Sequence, residues 1–259
     1  MVVKFIPLFF TYVVMVVVVL ISIGIGFKLG EKTRKSQKDR KKTSLGSIIG
    51  AMLALLAFIL ALTYSMVSTR YAARKELVLD EANAIGTAIL RTDFLEEPIG
   101  AESRKLLKEY VSVKAQYDAN IKNLPTLLED SLTIQEQLWF LAVKSKQSEN
   151  PVLFALYIES LNEVIDIHAL RYAQGIQYRL PSGIWFLLYF VSVLAMLAVG
   201  YEFGINDSGN ILGALLLALM FSAVVLLISD LDKAAQSVLV KVSQEPIIEL
   251  DKMLNSSDP

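Results

Sequence analysis

Residues 43–90 read TSLGSIIGAMLALLAFILALTYSMVSTRYAARKELVLDEANAIGTAIL. Thr43–Thr69 carries no charge, and no proline occurs between Thr43 and Glu97, so the stretch reads as one helix that crosses a bilayer and continues past it to about Leu90. At ~1.5 Å per residue the part beyond the membrane projects roughly 30 Å. Small residues recur at Gly46, Gly50, Ala54, Ala57, Ala61, Ser65, Ser68 and Ala72, in steps of four and three that hold one helix face, and the cadence reaches Ala82 and Gly86. Lipid tails are as apolar as leucine, so helices associate there through close backbone approach, which a small face permits. This face packs either against a helix of the same chain or around the axis of an oligomer, where Ser65 and Ser68 would face water in a pore. Leu55 and Leu56, off the stripe, read as lipid-facing.

Working outward, three more runs of at least 22 residues are free of charge: Phe5–Phe27, Leu180–Tyr201 and Ser208–Ser229. Each is long enough for a hydrocarbon core of about 30 Å. The chain is 54% hydrophobic and 20% charged, and those charges all fall outside the four runs, which describes an integral membrane protein. The first run exceeds the roughly 7–15 apolar residues of a signal peptide, so it reads as a span. Lys28–Lys42 holds Lys28, Lys32, Arg34, Lys35, Lys38, Arg40, Lys41 and Lys42 against Glu31 and Asp39. The positive-inside rule makes that short loop cytoplasmic and sends both termini and the Arg70–Arg179 segment to the outer side of the cell inner (plasma) membrane. Arg70, Arg74, Lys75, Arg171 and Arg179 count the other way, but loops beyond about 60 residues translocate largely regardless of charge.

Between the second and third runs, prolines fall only at breaks in an apolar helical period (Pro98, Pro125, Pro151), which predicts helices over Ser103–Lys122, Thr126–Ser148 and Val152–Tyr178. On the last, Leu153, Leu156, Ile158, Leu161, Ile165 and Leu170 read as the buried stripe. Near the C-terminus Val238, Val240 and Val242 alternate with Leu239, Lys241 and Ser243, the period of a strand. With no second strand in the chain to pair with, its backbone would look to a neighbouring copy. The expected fold is an all-α integral membrane protein: four transmembrane helices, an inserted extramembrane helical bundle and one short C-terminal strand. Its divisions are a first transmembrane hairpin (1–70), a helical domain (71–180), a second hairpin (181–232) and a C-terminal strand with a short helix (233–259).

Ser68-Thr69-Arg70-Tyr71, the run Asp80-Glu81-Ala82-Asn83-Ala84-Ile85-Gly86-Thr87-Ala88-Ile89-Leu90-Arg91, Gly200-Tyr201-Glu202-Phe203-Gly204, Ser229-Asp230-Leu231-Asp232-Lys233 and Val242-Ser243-Gln244-Glu245-Pro246 occur in that order. Over roughly residues 45–250 this pattern resembles the bacterial bestrophin-like membrane protein family of unknown function. After the Asp-Leu-Asp, where that family commonly has Pro and Gly, this chain has Ala234, Ala235 and Gln236. The resemblance implies kinship to anion channels and brings no catalytic or conducting residue with it.

Glu81, Asn83, Thr87 and Arg91, with Arg74, form the main polar set on the long helix, and Gly86 lies among them as a further axis candidate. In an oligomer they suit an ion-binding ring, with the arginines favouring anions and Glu81 cations; in a protomer they suit a hydrogen-bonded helix interface. Asp230 and Asp232, two apart, do not face each other on a helix and read as an interfacial anchor. Glu202 and Asp207 sit in a turn too short for a substrate cleft. Trp185 with Tyr189, and Tyr201 with Phe203, suit the aromatic belts at the ends of a span. His168, amid apolar neighbours, reads as a bonded bundle residue, with pH sensing as the sharper alternative.

The chain has no cysteine and one histidine, which removes disulfides, thiolate chemistry and histidine- or cysteine-based metal sites. No phosphate-binding glycine loop, serine elbow or zincin pattern occurs. A net charge of −1 argues against nucleic acid. The expected protein is therefore no enzyme and has no cofactor, metal or catalytic residue. Its partners are the bilayer, further copies of itself in a homo-oligomer and a candidate small ion. Three functions stay open: an oligomeric ion channel with the second span at its axis, a non-conducting scaffold or assembly factor that binds another protein through its helical domain, and, weakest because the inner loops hold no output domain, a sensor that signals through the long second helix.

Overall fold

The computed structural model describes residues 2–36, 45–117, 123–144, 150–206, 211–233 and 237–256. Among the described residues there are eight α-helices and no strand: α1 (Val2–Ser36), α2 (Gly46–Arg91), α3 (Ile99–Ala115), α4 (Leu124–Lys144), α5 (Pro151–Tyr172), α6 (Ser182–Asn206), α7 (Ile211–Asp232) and α8 (Glu245–Ser256). Four of them, α1, α2, α6 and α7, are long and apolar enough to cross a membrane, and the protein is a multi-pass membrane protein. The long helix expected from residues 43–90 is present as α2, 46 residues without a break. α1 runs further than its apolar stretch. It enters the basic segment as far as Ser36, where Lys35 pairs with Glu31 one turn back (2.7 Å).

The chain divides into two compact units, Met1–Thr69 with Arg179–Val240, and Arg70–Tyr178 with Lys241–Pro259. The first is built on an unusually close pair of helices. A Cβ added at Gly26 or Gly30 of α1 would collide with the backbone of α6, and one added at Gly200 or Gly204 of α6 would collide with that of α1. Two small-xxx-small faces therefore meet directly, the packing that lipid favours. Around them Val19, Ile23, Leu56, Leu188, Met196, Phe221 and Val225 form the core. Leu56 is buried, contrary to its lipid-facing assignment, whereas Leu55 is 53% exposed; a step of one residue on a helix turns the side chain by about 100°. The buried hydroxyls of Ser22, Thr63 and Ser192 donate to the carbonyls of Val18, Ile59 and Leu188, four residues back in their own helices. They satisfy themselves without any bond between helices.

The alternating segment after α7 is not a strand. The N–H groups of Val238 (2.9 Å), Leu239 (2.8 Å) and Val240 (3.2 Å) all donate to the carboxylate of Asp230, as does the Ser237 hydroxyl (2.7 Å). A buried carboxylate near the end of α7 folds the chain around itself, and the N–H groups of Val238, Leu239 and Val240, which alternation assigns to a neighbouring copy, are met within the protomer. Asp232 likewise accepts from the N–H of Leu180 just before α6 (2.8 Å). Ala234, Ala235, Gln236 and Asp207 lie outside the described residues.

The second unit packs α3, α4, α5 and α8 with the latter half of α2. Its core holds Val78, Ile85, Leu107, Tyr110, Leu138, Tyr157, Leu161, Val164 and Ile247. α5 starts at Pro151, with the Asn150 side chain accepting from the Leu153 N–H (3.3 Å). Its buried stripe is Tyr157, Ser160, Leu161, Val164, Ile167 and His168. Of the expected apolar set Leu161 belongs to it, Ile158 and Ile165 pack against the same core half-buried, and Leu170 is exposed. The core side of this helix is marked by polar residues that an apolar count passes over.

Candidate functional site: the uncovered face of α2

Within Gly46–Thr69, α2 has three sectors of comparable width. One buries Ile49, Leu56, Thr63 and Val67. A second exposes Ile48, Leu55, Phe58, Leu62 and Met66, bulky groups suited to lipid. The third is the small face. Gly46, Gly50, Ala54, Ala57, Ala61 and Ser65 are all exposed, Ser68 is half-exposed, and a Cβ placed on Gly50 meets no atom within 4 Å. The face continues beyond Thr69 through Ala72, Asn83 and Thr87, which are exposed, and half-exposed Gly86, where a Cβ again meets nothing within 4 Å. Ala82 has left it and is buried in the core.

Two of the charges assigned to a ring are not on this face. Glu81 is fully buried, and its Oε1 accepts from Lys114 Nζ (2.8 Å) and from the Tyr110 hydroxyl (3.2 Å) while its Oε2 accepts from Arg171. Arg171 also donates to Gln244 Oε1 (2.7 Å), Gln135 donates to the Tyr110 hydroxyl (3.0 Å), and Lys114 donates to His168 Nδ1 (2.5 Å). Lys114 further lies over the rings of Tyr110 (5.2 Å) and Tyr117 (4.7 Å). One carboxylate on α2 thus gathers side chains from α3, α4, α5 and the residue that opens α8. Arg74 is buried too, its Nε donating to the Gln174 carbonyl (2.9 Å). Arg91 is half-buried and donates to the Leu156 carbonyl (2.5 Å), with Glu159 at 3.9 Å.

Burial sets the protonation of this cluster. It pushes the Lys114 amine well below its ordinary value, with Glu81 as the counter-charge within reach, and brings the Arg171 guanidinium down to about 10. Burial, then the neighbouring Lys114 charge, lowers His168 to about 3, so the imidazole is neutral near physiological pH and accepts at Nδ1. The Tyr110 hydroxyl is pushed well up by burial, and Tyr117 to about 12. The bonded-residue reading of His168 therefore fits its surroundings. Sequence reasoning missed Lys114 and Arg171, and its one signal for them was Glu81 amid alanines and isoleucine, a carboxylate that needs partners when buried.

Beside α2 an open groove of about 850 Å³ runs along α5, lined by Leu77, Asp80, Asn83, Arg91, Glu159, Glu163 and Asp166 among others. No group of three or more His, Cys, Asp or Glu side chains positioned for a metal occurs among the described residues. Trp185 stacks on Tyr189 (5.6 Å), and the Tyr201 hydroxyl meets Thr33 Oγ1 (3.4 Å).

Four apolar spans with a charged, separately packed helical unit define an all-helical multi-pass membrane protein, without a catalytic constellation in the described residues. The chain matches the bestrophin-like domain over residues 13–234, and it belongs to that family. Two mutant crystal structures of a bacterial bestrophin homolog from Klebsiella pneumoniae share the fold, with TM-scores of 0.68 and 0.69 at 12% and 11% identity; 96% of this chain is covered in each case, against 99% and 98% of theirs. A crystal structure of a membrane protein S-to-A variant matches with a TM-score of 0.69 at 12% identity over 97% of both chains. No curated protein matches the chain.

Proposed function

We propose that the protein is a homo-oligomeric ring in which the small face of α2 lines the symmetry axis and provides a path for a small ion. The observation that supports this is the contrast between the outward sectors of α2, one bulky and one of glycine, alanine and serine left uncovered in the protomer. Lipid fits the first, and close approach of identical helices fits the second. With Glu81 and Arg74 withdrawn into the core and Arg91 turned onto the Leu156 carbonyl of α5, the side chains left for a pore are Ser65, Ser68, Asn83 and Thr87 around Gly86. Such a lining is neutral, so ion choice rests on width and hydroxyl or amide contacts rather than on a ring of charge. Cysteine substitution tests it. Ala57→Cys and Ser65→Cys should oxidise to cross-linked dimers in native membranes, while Phe58→Cys and Leu62→Cys should not, and Ser65→Cys should show currents in planar bilayers that a charged thiol reagent blocks. Cross-linking equal on both sectors overturns the ring.

The orientation proposed is that of the basic loop, with the helical unit outside the cytoplasm and outside the bilayer. Arg171 and Arg74, which count against it, are buried and bonded. A Gln137→Cys reporter should then label in intact cells, and labelling only after the inner membrane is opened reverses the assignment. The scaffold reading has one observation of its own: α4 exposes Leu132, Trp139, Phe140 and Val143, an apolar strip of the kind that marks protein contacts. A ring that passes no current across salts and pH, yet retains a partner through α4, favours it.

A further inference from the structure

In the first unit, α1 and α6 are pressed together at Gly26, Gly30, Gly200 and Gly204, and they part in the other direction. Where they part, a crevice of about 220 Å³ opens, lined by Met15, Val18, Val19 and Ser22 of α1, Tyr189, Ser192, Val193 and Met196 of α6, and Phe221 of α7. We propose that this crevice is a binding site for one acyl chain of a membrane lipid.

Its chemistry admits little else. Two of the nine lining residues are serines, but Ser22 donates to Val18 O (2.8 Å) and Ser192 to Leu188 O (2.5 Å), so neither offers its proton to a guest. The Tyr189 hydroxyl shows no surface to the crevice either, so the wall is dry and apolar, a surface that keeps water out and accepts hydrocarbon. Its mouth is continuous with bulky exposed residues of the same two helices, Val14, Val17, Val18 and Ile21 on α1 and Phe186, Phe190 and Leu194 on α6. That is a lipid-facing surface, unlike the small face of α2 where copies are expected to meet. The mouth also has a polar end. Trp185 stacks on Tyr189 one turn from the crevice, near the start of α6 at Ser182, and such aromatics sit at the headgroup level. From Tyr189 the lining runs seven residues along α6 to Met196, roughly 10 Å at 1.5 Å per residue. A lipid with its headgroup near Trp185 would lay the upper part of one tail along that length. Left empty, a crevice of this size would deprive its walls of dispersion contacts on one side.

The test uses the full-length protein in native membranes with a phosphatidylcholine carrying a diazirine midway along one chain. After irradiation and peptide mapping, label should concentrate on Val18, Val193 and Met196, at least fivefold above that on Phe190 and Leu194, which are exposed but outside the crevice. Ser192→Leu, or Val18→Phe from the opposite wall should Ser192→Leu fail to fold, fills the space and should remove the excess while leaving Phe190 and Leu194 labelled as before. Even labelling across all five positions, or an excess that survives both fillings, overturns the site. Oxidation of a Val18→Cys variant into disulfide-linked dimers would show a second copy in place of lipid, and would also overturn it.

Discussion

The two halves of α2 are one helix with two different interiors. From Gly46 to Thr69 its buried side is Ile49, Leu56, Thr63 and Val67, and its large outward residues are Ile48, Leu55, Phe58, Leu62, Tyr64 and Met66. From Arg70 to Arg91 the buried side includes Arg74 and Glu81 beside Val78, Ile85 and Ala88, while Lys75, Glu76, Asn83 and Thr87 point outward. In the first half nothing charged is inside, and hydroxyls bond to their own helix. In the second, a buried carboxylate organises five helices. Burying an ion pair is no sure gain in stability, because desolvation offsets the attraction, so the network around Glu81 is better understood as fixing which helices meet and in what register. The small face is the feature common to both halves.

The strongest way to break this contrast is Glu81→Ala. It leaves Lys114 and Arg171 buried without their counter-charge, for which about 3–5 kcal/mol of destabilisation is expected. Limited proteolysis should then cut within α3–α5 while α1, α6 and α7 stay protected. Equal cleavage of both units would mean that they fold as one. In the first unit the matching probe is Gly200→Leu. It drives a side chain into the α1 backbone and should cost about 1–3 kcal/mol, read as a lower melting temperature, whereas Gly50→Leu should leave protomer packing intact and damage assembly instead. A melting temperature unmoved by Gly200→Leu would deny the close contact.

A smaller effect comes from pH. The His168 pKa is about 3 in the fold against 6.5 as its ordinary value, so the unfolded chain binds more protons between those limits. The stability that neutral His168 contributes is present above pH 6.5 and is lost as pH falls toward 3. Between pH 6.5 and 5 the loss is at most about 2 kcal/mol at ~1.4 kcal/mol per unit. Lys114, depressed by burial, acts in the same sense over a higher range, and Glu81, Arg171, Tyr110 and Tyr117 face the pair. Melting curves of the protein and of His168→Gln across pH 7 to 5 should differ in slope, the variant being flatter. Parallel curves would assign the acid sensitivity elsewhere.

Much of this architecture was legible in the sequence because lipid leaves a simple signature. Four uncharged runs gave four long helices, and the absence of proline gave the continuous α2. What was not legible depended on partners distant in the chain. Val238–Val242 carried the period of a strand, but the N–H groups of Val238, Leu239 and Val240 found the Asp230 carboxylate, a local solution that alternation cannot reveal. Gly26, Gly30, Gly200 and Gly204 were quieter than the α2 stripe, yet it is they that make the close contact within the protomer. Glu81 was visible as a special residue, while its partners Lys114 and Arg171 looked like ordinary helix-surface charges. Several residues that carry the family resemblance, Glu81, Asp230, Asp232 and Gln244, hold hydrogen bonds that shape the protomer, which leaves the open face of α2 as the part suited to function.

Single-particle imaging of the full-length protein in lipid discs tests the central claim most directly. A closed ring is expected, with the α2 helices nearest the axis, Gly50, Ala57 and Ser65 turned inward, and Phe58 and Leu62 turned away. A monomer, or a ring whose axis is lined by α1, α6 or α7 with the small face of α2 against lipid, would contradict it.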